Sequence, residues 1–177
     1  GVAGIKEDSL DNVVQFSASA DNATDELTSV VIELPGVAQG DVDIVQIVSD
    51  LGGNGTALVS EAGGTTTITI TFADASDLQD FASSFTLDAP AEDSDVDLSG
   101  VKITASAKDI TDPSATGSDS ATTTIVVDAV LDEAGSATQG TAPTESESAS
   151  AQEINLDLSL DFVSAGFGLS GAGGEDT

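Results

Sequence analysis

The sequence predicts an all-β fold, an antiparallel β-sandwich carrying one short helix. Two observations predict it. In residues 101–133, Val101, Ile103, Ala105 and Ala107 alternate with Lys102, Thr104, Ser106 and Lys108, and a second run alternates Ala121, Thr123, Ile125 and Val127 with Thr122, Thr124, Val126 and Asp128. Such period-two alternation marks strands with one buried and one wet face. About seven short runs of this kind recur at near-regular spacing with turn residues between them, the signature of a sandwich.

Taken in order, residues 13–20 place Val14, Phe16, Ala18 and Ala20 on one face. Residues 21–25 (DNATD) read as a polar turn. In 28–34, Val30, Ile32 and Leu34 point inward, and Pro35-Gly36 ends the run. Residues 42–48 are more continuously apolar, as in a strand covered on both sides. A Gly-rich turn at 52–55 precedes a strand at 57–60, and Gly63-Gly64 leads into 65–72 (TTTITITF). There Ile68, Ile70 and Phe72 face in and threonines face out, as β-branched residues suit a half-buried strand. The threonine ladder also matches flat, water-ordering surfaces, although the wet face of an ordinary strand is the simpler reading.

The helical signal follows. Ser76 and Gln79 fit a capping box, and Leu78, Phe81, Ala82 and Phe85 fall at i, i+3, i+4 and i+7, a stripe that would plug one end of the sandwich. An acidic loop at 89–98 leads to the hairpin of 101–133, whose turn spans 109–120. Its two lysines, Lys102 and Lys108, read as charge partners on the wet face. The sandwich closes within 1–130. Residues 131–150 read as an acidic Gly/Ser/Thr linker. Within 151–177, Ile154, Leu156, Leu158, Leu160 and Phe162 alternate with polar residues, an extra strand that needs a partner because a bare apolar edge invites association.

Composition narrows the function. The chain of 177 residues holds 32 Asp and Glu against 3 Lys, no Arg, His, Cys, Met, Trp or Tyr, and a formal net charge of −29. There is no Ser-His or Cys-His nucleophile pair, no imidazole base, no soft ligand set for zinc and no P-loop, so an enzyme is not expected. Nucleic acid is excluded as a partner because phosphate contacts need Lys and Arg. Paired carboxylates can hydrolyse sugars, but such sites usually need aromatic platforms, and six Phe are the whole aromatic content. No apolar run long enough to span a membrane occurs, and no signal peptide is visible. A Cys-free, Thr/Ser/Asp-rich strand protein reads as secreted and independent of disulfides, with a divalent cation as the substitute staple. A halophile cytosol is the competing explanation of the charge.

Calcium takes six to eight oxygens, so a site needs several carboxylates brought together. The candidates are Glu7 and Asp8 at the start of the first strand, Asp109 at the end of the penultimate strand, and Asp128, Asp132 and Glu133 at the exit. Loops at one end of a sandwich cluster, so some of these can meet across a domain junction. The alternative for each is a solvated acidic surface. Asp21 and Asp25 form a second candidate pair, with an Asx-type turn as the simpler reading.

The segments KEDS (6–9), DNATDELTSVVIELPG (21–36), TFADASDLQDF (71–81), LSGVKITASAKD (98–109) and SDSATTTIVVDAVLDE (118–133), in this order and spacing, resemble the tandem Ig-like or cadherin-like repeats of large bacterial RTX adhesins exported by type I secretion. The resemblance implies extracellular β-sandwich repeats on a bacterial cell surface that act as spacers in adhesion and biofilm, bind Ca2+ at their junctions and neighbour copies of the same repeat. It also implies that 151–162 opens a following repeat. Three features depart from the family: no GGxGxDx nonapeptides occur, arginine is absent, and only part of a second repeat is present. The alternative is a self-assembling subunit of an extracellular filament or surface layer that donates strand 154–162 to a neighbour.

Overall fold

Alternating apolar positions sort into one slab between two sheets, and the order of the strands follows from which edges remain to be paired. The computed structural model describes residues 4–6, 9–20, 22–73, 78–89, 97–128 and 153–155. In chain order these form β1 (Ile5–Lys6), β2 (Asn12–Ser19), β3 (Asp25–Pro35), a 3₁₀ turn (Gln39–Asp41), β4 (Val42–Asp43), α1 (Val45–Leu51), β5 (Gly55–Ala62), β6 (Thr65–Phe72), β7 (Asp80–Leu87), β8 (Leu98–Asp109), β9 (Thr116–Ile125), β10 (Val127–Asp128) and β11 (Glu153–Asn155). One sheet runs β5-β6-β3-β8-β9 and the other β11-β2-β7-β4, while β1 pairs with β10. The two sheets make an antiparallel β-sandwich, as the alternation predicts.

Inward residues from both sheets fill the core. Val14, Phe16 and Ala18 of β2 meet Phe81, Phe85 and Leu87 of β7, and across from them lie Val30, Ile32 and Leu34, Ile68 and Ile70, and Val101, Ile103, Ala105 and Ala107. Phe16, Phe72 and Phe81 form a chain of tilted and edge-on rings, with centroids 6.1 Å apart for Phe16–Phe81 and 5.1 Å for Phe72–Phe81. The outward threonines of β6, Thr65, Thr67, Thr69 and Thr71, are half-buried to exposed, while Thr66, on the inward face with Ile68 and Ile70, is fully buried and donates its hydroxyl to the Val37 carbonyl at 2.6 Å. Gly63 and Gly64, both at positive φ, close the β5–β6 hairpin in the two-residue form that glycine permits. The lysines of β8 do pair on its wet face, Lys102 with Glu33 at 3.7 Å and Lys108 with Glu26 at 3.0 Å.

Three local expectations change. The helix expected around Leu78, Phe81, Ala82 and Phe85 is strand β7, paired with β2 from Asn12↔Leu87 to Ser19↔Asp80. Phe81 and Phe85 are four apart, a spacing that a helix stripe and one face of a strand share, and Ala82 points outward to solvent. Ser76 of the expected capping box lies outside the described residues, and Gln79 instead donates its side-chain amide to the Ala23 carbonyl. Among the described residues the single short α-helix is α1, inside the stretch read as a doubly covered strand. Ile47 and Leu51, four apart, are its buried face, Val45 and Val48 are exposed, and Gly52 ends it in the left-handed conformation. The turn of the 101–133 hairpin is shorter than expected, since β9 begins at Thr116.

Of the C-terminal strand, Glu153–Asn155 pairs in parallel with Val13–Gln15 on the outer edge of β2. Residues 156–162, and the linker at 131–150, lie outside the described residues.

Phe85 is 1 % exposed and packs against the Phe16 ring, centroids 6.4 Å apart. Phe85→Ala should cost about 3–5 kcal/mol, read as a fall in the urea midpoint at unchanged slope. Ala82→Thr on the wet face of the same strand should be neutral or slightly stabilising, the opposite of what a helix would show.

Candidate functional site

The strands carry the acidic loops to two opposite ends of the sandwich. β8 runs from Leu98, paired with Ile125, to Lys108, paired with Thr116. Twelve residues at a strand's rise span roughly 35 Å. Asp109 therefore lies at one end, while Asp128, beyond Ile125 and beside Lys6 in the β1–β10 register, lies at the other. Within one copy these two expected ligands do not share a site. Glu7, Asp8, Asp132 and Glu133, like Asp21, lie outside the described residues. Among the described residues no group of three or more acidic side chains is placed to hold a metal.

The Asp128 end is tied by side-chain hydrogen bonds to the backbone. Fully buried Asn12 donates to the Ser9 and Leu87 carbonyls at 3.1 and 2.9 Å, tying the turn before β2 to the end of β7. Asp88 accepts from the Asp11 amide at 2.8 Å, and Asp97 from the Val127 amide at 3.0 Å, so two carboxylates here already have structural duties.

The Asp109 end differs. Asp109 Oδ1 accepts three hydrogen bonds from the loop after β8: from the Thr111 amide at 2.5 Å, the Thr111 hydroxyl at 2.6 Å and the Asp112 amide at 3.0 Å. These donors, the Thr111 hydroxyl foremost, stabilise the charged form and hold its carboxyl below the usual range. Asp112 repeats the device with the Ser114 amide and hydroxyl. The loop is thus two successive Asx-type turns.

Directly across the β3–β8 ladder from Asp109 stands Asp25. The two-residue period of β3 carries it inward, on the side of Leu27, at the mouth of the core. It is 2 % exposed, and its Oδ1 accepts no hydrogen bond. Burial and, after it, the negative charge of Asp109 push its carboxyl above the ordinary value. The next pair along the ladder joins buried Glu26 to half-buried Lys108, and Glu26 Oε2 also lacks a donor.

The sequence grouped Asp25 with Asp21 as turn residues and Asp109 with the exit carboxylates. The signal for the true pairing was present: carrying the alternation of β3 back past Leu27 puts Asp25 on the inner face, and Glu26 opposite Lys108 fixes the register. No family model matches the chain, and no curated protein or solved structure matches it. No helix among the described residues is long and apolar enough to cross a membrane.

Asp25 and Asp109 respond to pH with opposite signs. The folded carboxyl of Asp25 holds its proton above the ordinary 3.8, so its stabilising share is complete below that value and is lost as pH rises through the folded value. Asp109 contributes stability above the ordinary value and loses it as pH falls through its lower folded value. In chelator, Asp25→Asn should melt with the parent or below it at acid pH and gain on it as pH rises to neutrality. Melting temperature against pH for the two proteins checks this.

Proposed function

We propose that the chain is a non-catalytic structural module of an extracellular bacterial surface protein. It acts as a calcium-stiffened spacer that holds a distal ligand-binding region away from the cell, with copies of the same repeat as its neighbours. One observation carries the reading: the first and last strands of the sandwich, β1 and β10, pair in parallel, Ile5 with Val127 and Lys6 with Asp128. β1 and β10 therefore run the same way, side by side, and both point out of the Asp128 end of the sandwich. Antiparallel terminal strands would turn the chain back instead.

The same polarity gives the split of the acidic residues a use. Because β1 points out of the Asp128 end, the proposal has the chain before it arrive from the Asp109 side, so that in a string of copies the exit end of one module faces the Asp109 end of the next. The proposed junction set is Asp128, Asp132 and Glu133 of one copy with Asp109 of its neighbour, together with Glu7 and Asp8. Like charges so gathered repel one another, and a calcium ion removes the repulsion while supplying coordination in one step. Extracellular modules typically hold calcium at ~10⁻⁴–10⁻³ M, which leaves such a junction loose inside a cell and stiff outside. The lack of His, Cys and Arg supports a structural role over a catalytic one.

A second reading, the filament or surface-layer subunit, is favoured by β11. Glu153–Asn155 adds to the open edge of β2, and the same segment fits the same edge of another copy.

Two copies joined end to end should scatter as a rod with about twice the single-copy length. Calcium should narrow the distribution of lengths, and sodium chloride at matched ionic strength should not. A particle folded back on itself in calcium would refute the spacer. Deleting 152–177 should lower the melting temperature or dissolve an assembly; if it does neither, the filament reading loses its support.

A further inference from the structure

We propose that Asp25 and Asp109 of one copy together bind a divalent cation, calcium by its chemistry, within the module and independently of any junction. The inference rests on the calcium part of the reading above and adds an intramolecular site to it.

The geometry is that of a negative pocket without an answer. Asp25 and Asp109 are direct cross-strand partners, which sets their Cβ atoms roughly 4.5–5.5 Å apart. Asp25 is almost wholly removed from water, and its Oδ1 has no donor. A buried polar oxygen left unpaired is costly, and a buried charge more so. Of the three lysines, Lys108 pairs with Glu26, Lys102 pairs with Glu33, and Lys6 lies in the β1–β10 pair at the opposite end. Asp109 is fixed and kept ionised by its three donors, all on Oδ1. Its other oxygen is the one a cation takes.

The surroundings suit a hard ion. Turn 22–24 and loop 110–115 flank the pair, and the Ile110 amide donates to the Thr24 carbonyl at 2.7 Å, tying the two segments together. The proposed site would draw its remaining ligands from backbone carbonyls of these segments and water, an all-oxygen, irregular set. Calcium accepts such a set, magnesium demands a near-ideal octahedron, and zinc wants nitrogen or sulfur. Two carboxylates neutralise a divalent ion but are few for calcium, so binding falls at the weak extracellular end, ~10⁻⁴–10⁻³ M.

The test is calorimetric titration of the full chain with calcium chloride, together with melting temperatures in calcium and in sodium chloride of equal ionic strength. The proteins are the parent, Asp25→Asn, Asp109→Asn and Asp132→Asn. Asp109→Asn keeps the side-chain oxygen that the 110–112 loop needs, so it guards against a variant that merely unfolds. Both Asp25→Asn and Asp109→Asn should weaken binding by about tenfold or more, the scale on which even outer-shell partners of metal ligands act. Asp25→Asn should also melt at or above the calcium-free parent near neutral pH, because it removes an unanswered charge. Asp132→Asn should keep this site. If Asp25→Asn binds as the parent does while Asp132→Asn does not, the intramolecular site is refuted and the junction stands. If the parent shows no calcium response beyond sodium chloride, both fall. If Asp25→Asn abolishes binding but joined copies do not extend, the site stands and the spacer falls.

Discussion

The β3–β8 ladder is the constraint on which the rest of the molecule depends. These are the two longest strands, and they stand at the centre of the five-stranded sheet with β6 and β9 on their flanks. Their register, Val31 against Thr104 and Ile32 against Ile103, faces Val30, Ile32 and Leu34 to the same side as Val101, Ile103 and Ala105. A slip of one residue would turn every one of those side chains to water. At about 1.5–3 kcal/mol for each large apolar side chain buried, no surface interaction in the chain competes with that penalty. The same register forces Asp25 against Asp109 and Glu26 against Lys108. The buried carboxylate is a consequence of the core, held in place by contacts that far outweigh its own cost.

How the sandwich treats its edges follows from this frame. The chain leaves β3 and crosses between the sheets through the 3₁₀ turn, β4 and α1 before returning as β5. Gln39 in that crossing donates its side chain to the Val59 carbonyl at 3.1 Å and its amide to Glu61, and Ile47 and Leu51 of α1 are buried in the core, so the β4–β5 side is covered. On the other side β2 receives β11, and β9 has no outer partner among the described residues. Edge strands left open are where chains meet. The side that carries β11 is therefore where association between copies, if it occurs, has its backbone donors and acceptors ready.

Strands whose buried face follows a strict two-residue period were legible from sequence alone: β2, β3, β6 and β8 bury the residues that the alternation names. Where the pattern is degenerate, the reading failed. Phe81 and Phe85 satisfy a helix and a strand equally, and only the free edge of β2 decides between them. Val42, Ile44, Val45, Ile47 and Val48 suggest a strand by residue type, yet Gly52 can end a helix and Ile47 with Leu51 can bury its stripe. The acidic candidates were legible as types but not as partners. Asp25 looks like turn chemistry until the tertiary register sets it beneath Asp109, and charge clustering read along the chain cannot reveal a pairing made across a sheet. Asn12, buried and wholly satisfied, left no mark in the sequence either.

Because the core and the buried carboxylate both descend from one register, that register is the claim to test. The chain has no cysteine of its own, so a pair can be introduced cleanly on the wet face. Val31→Cys with Thr104→Cys places two thiols at a direct cross-strand position, close enough to bridge with slight adjustment. Val31→Cys with Ser106→Cys reports a slip of two residues. The account predicts rapid, near-complete disulfide formation in the folded first variant under mild oxidation, with little in the second. Equal or faster closure of the slipped pair would contradict the ladder, and with it the placement of Asp25 against Asp109.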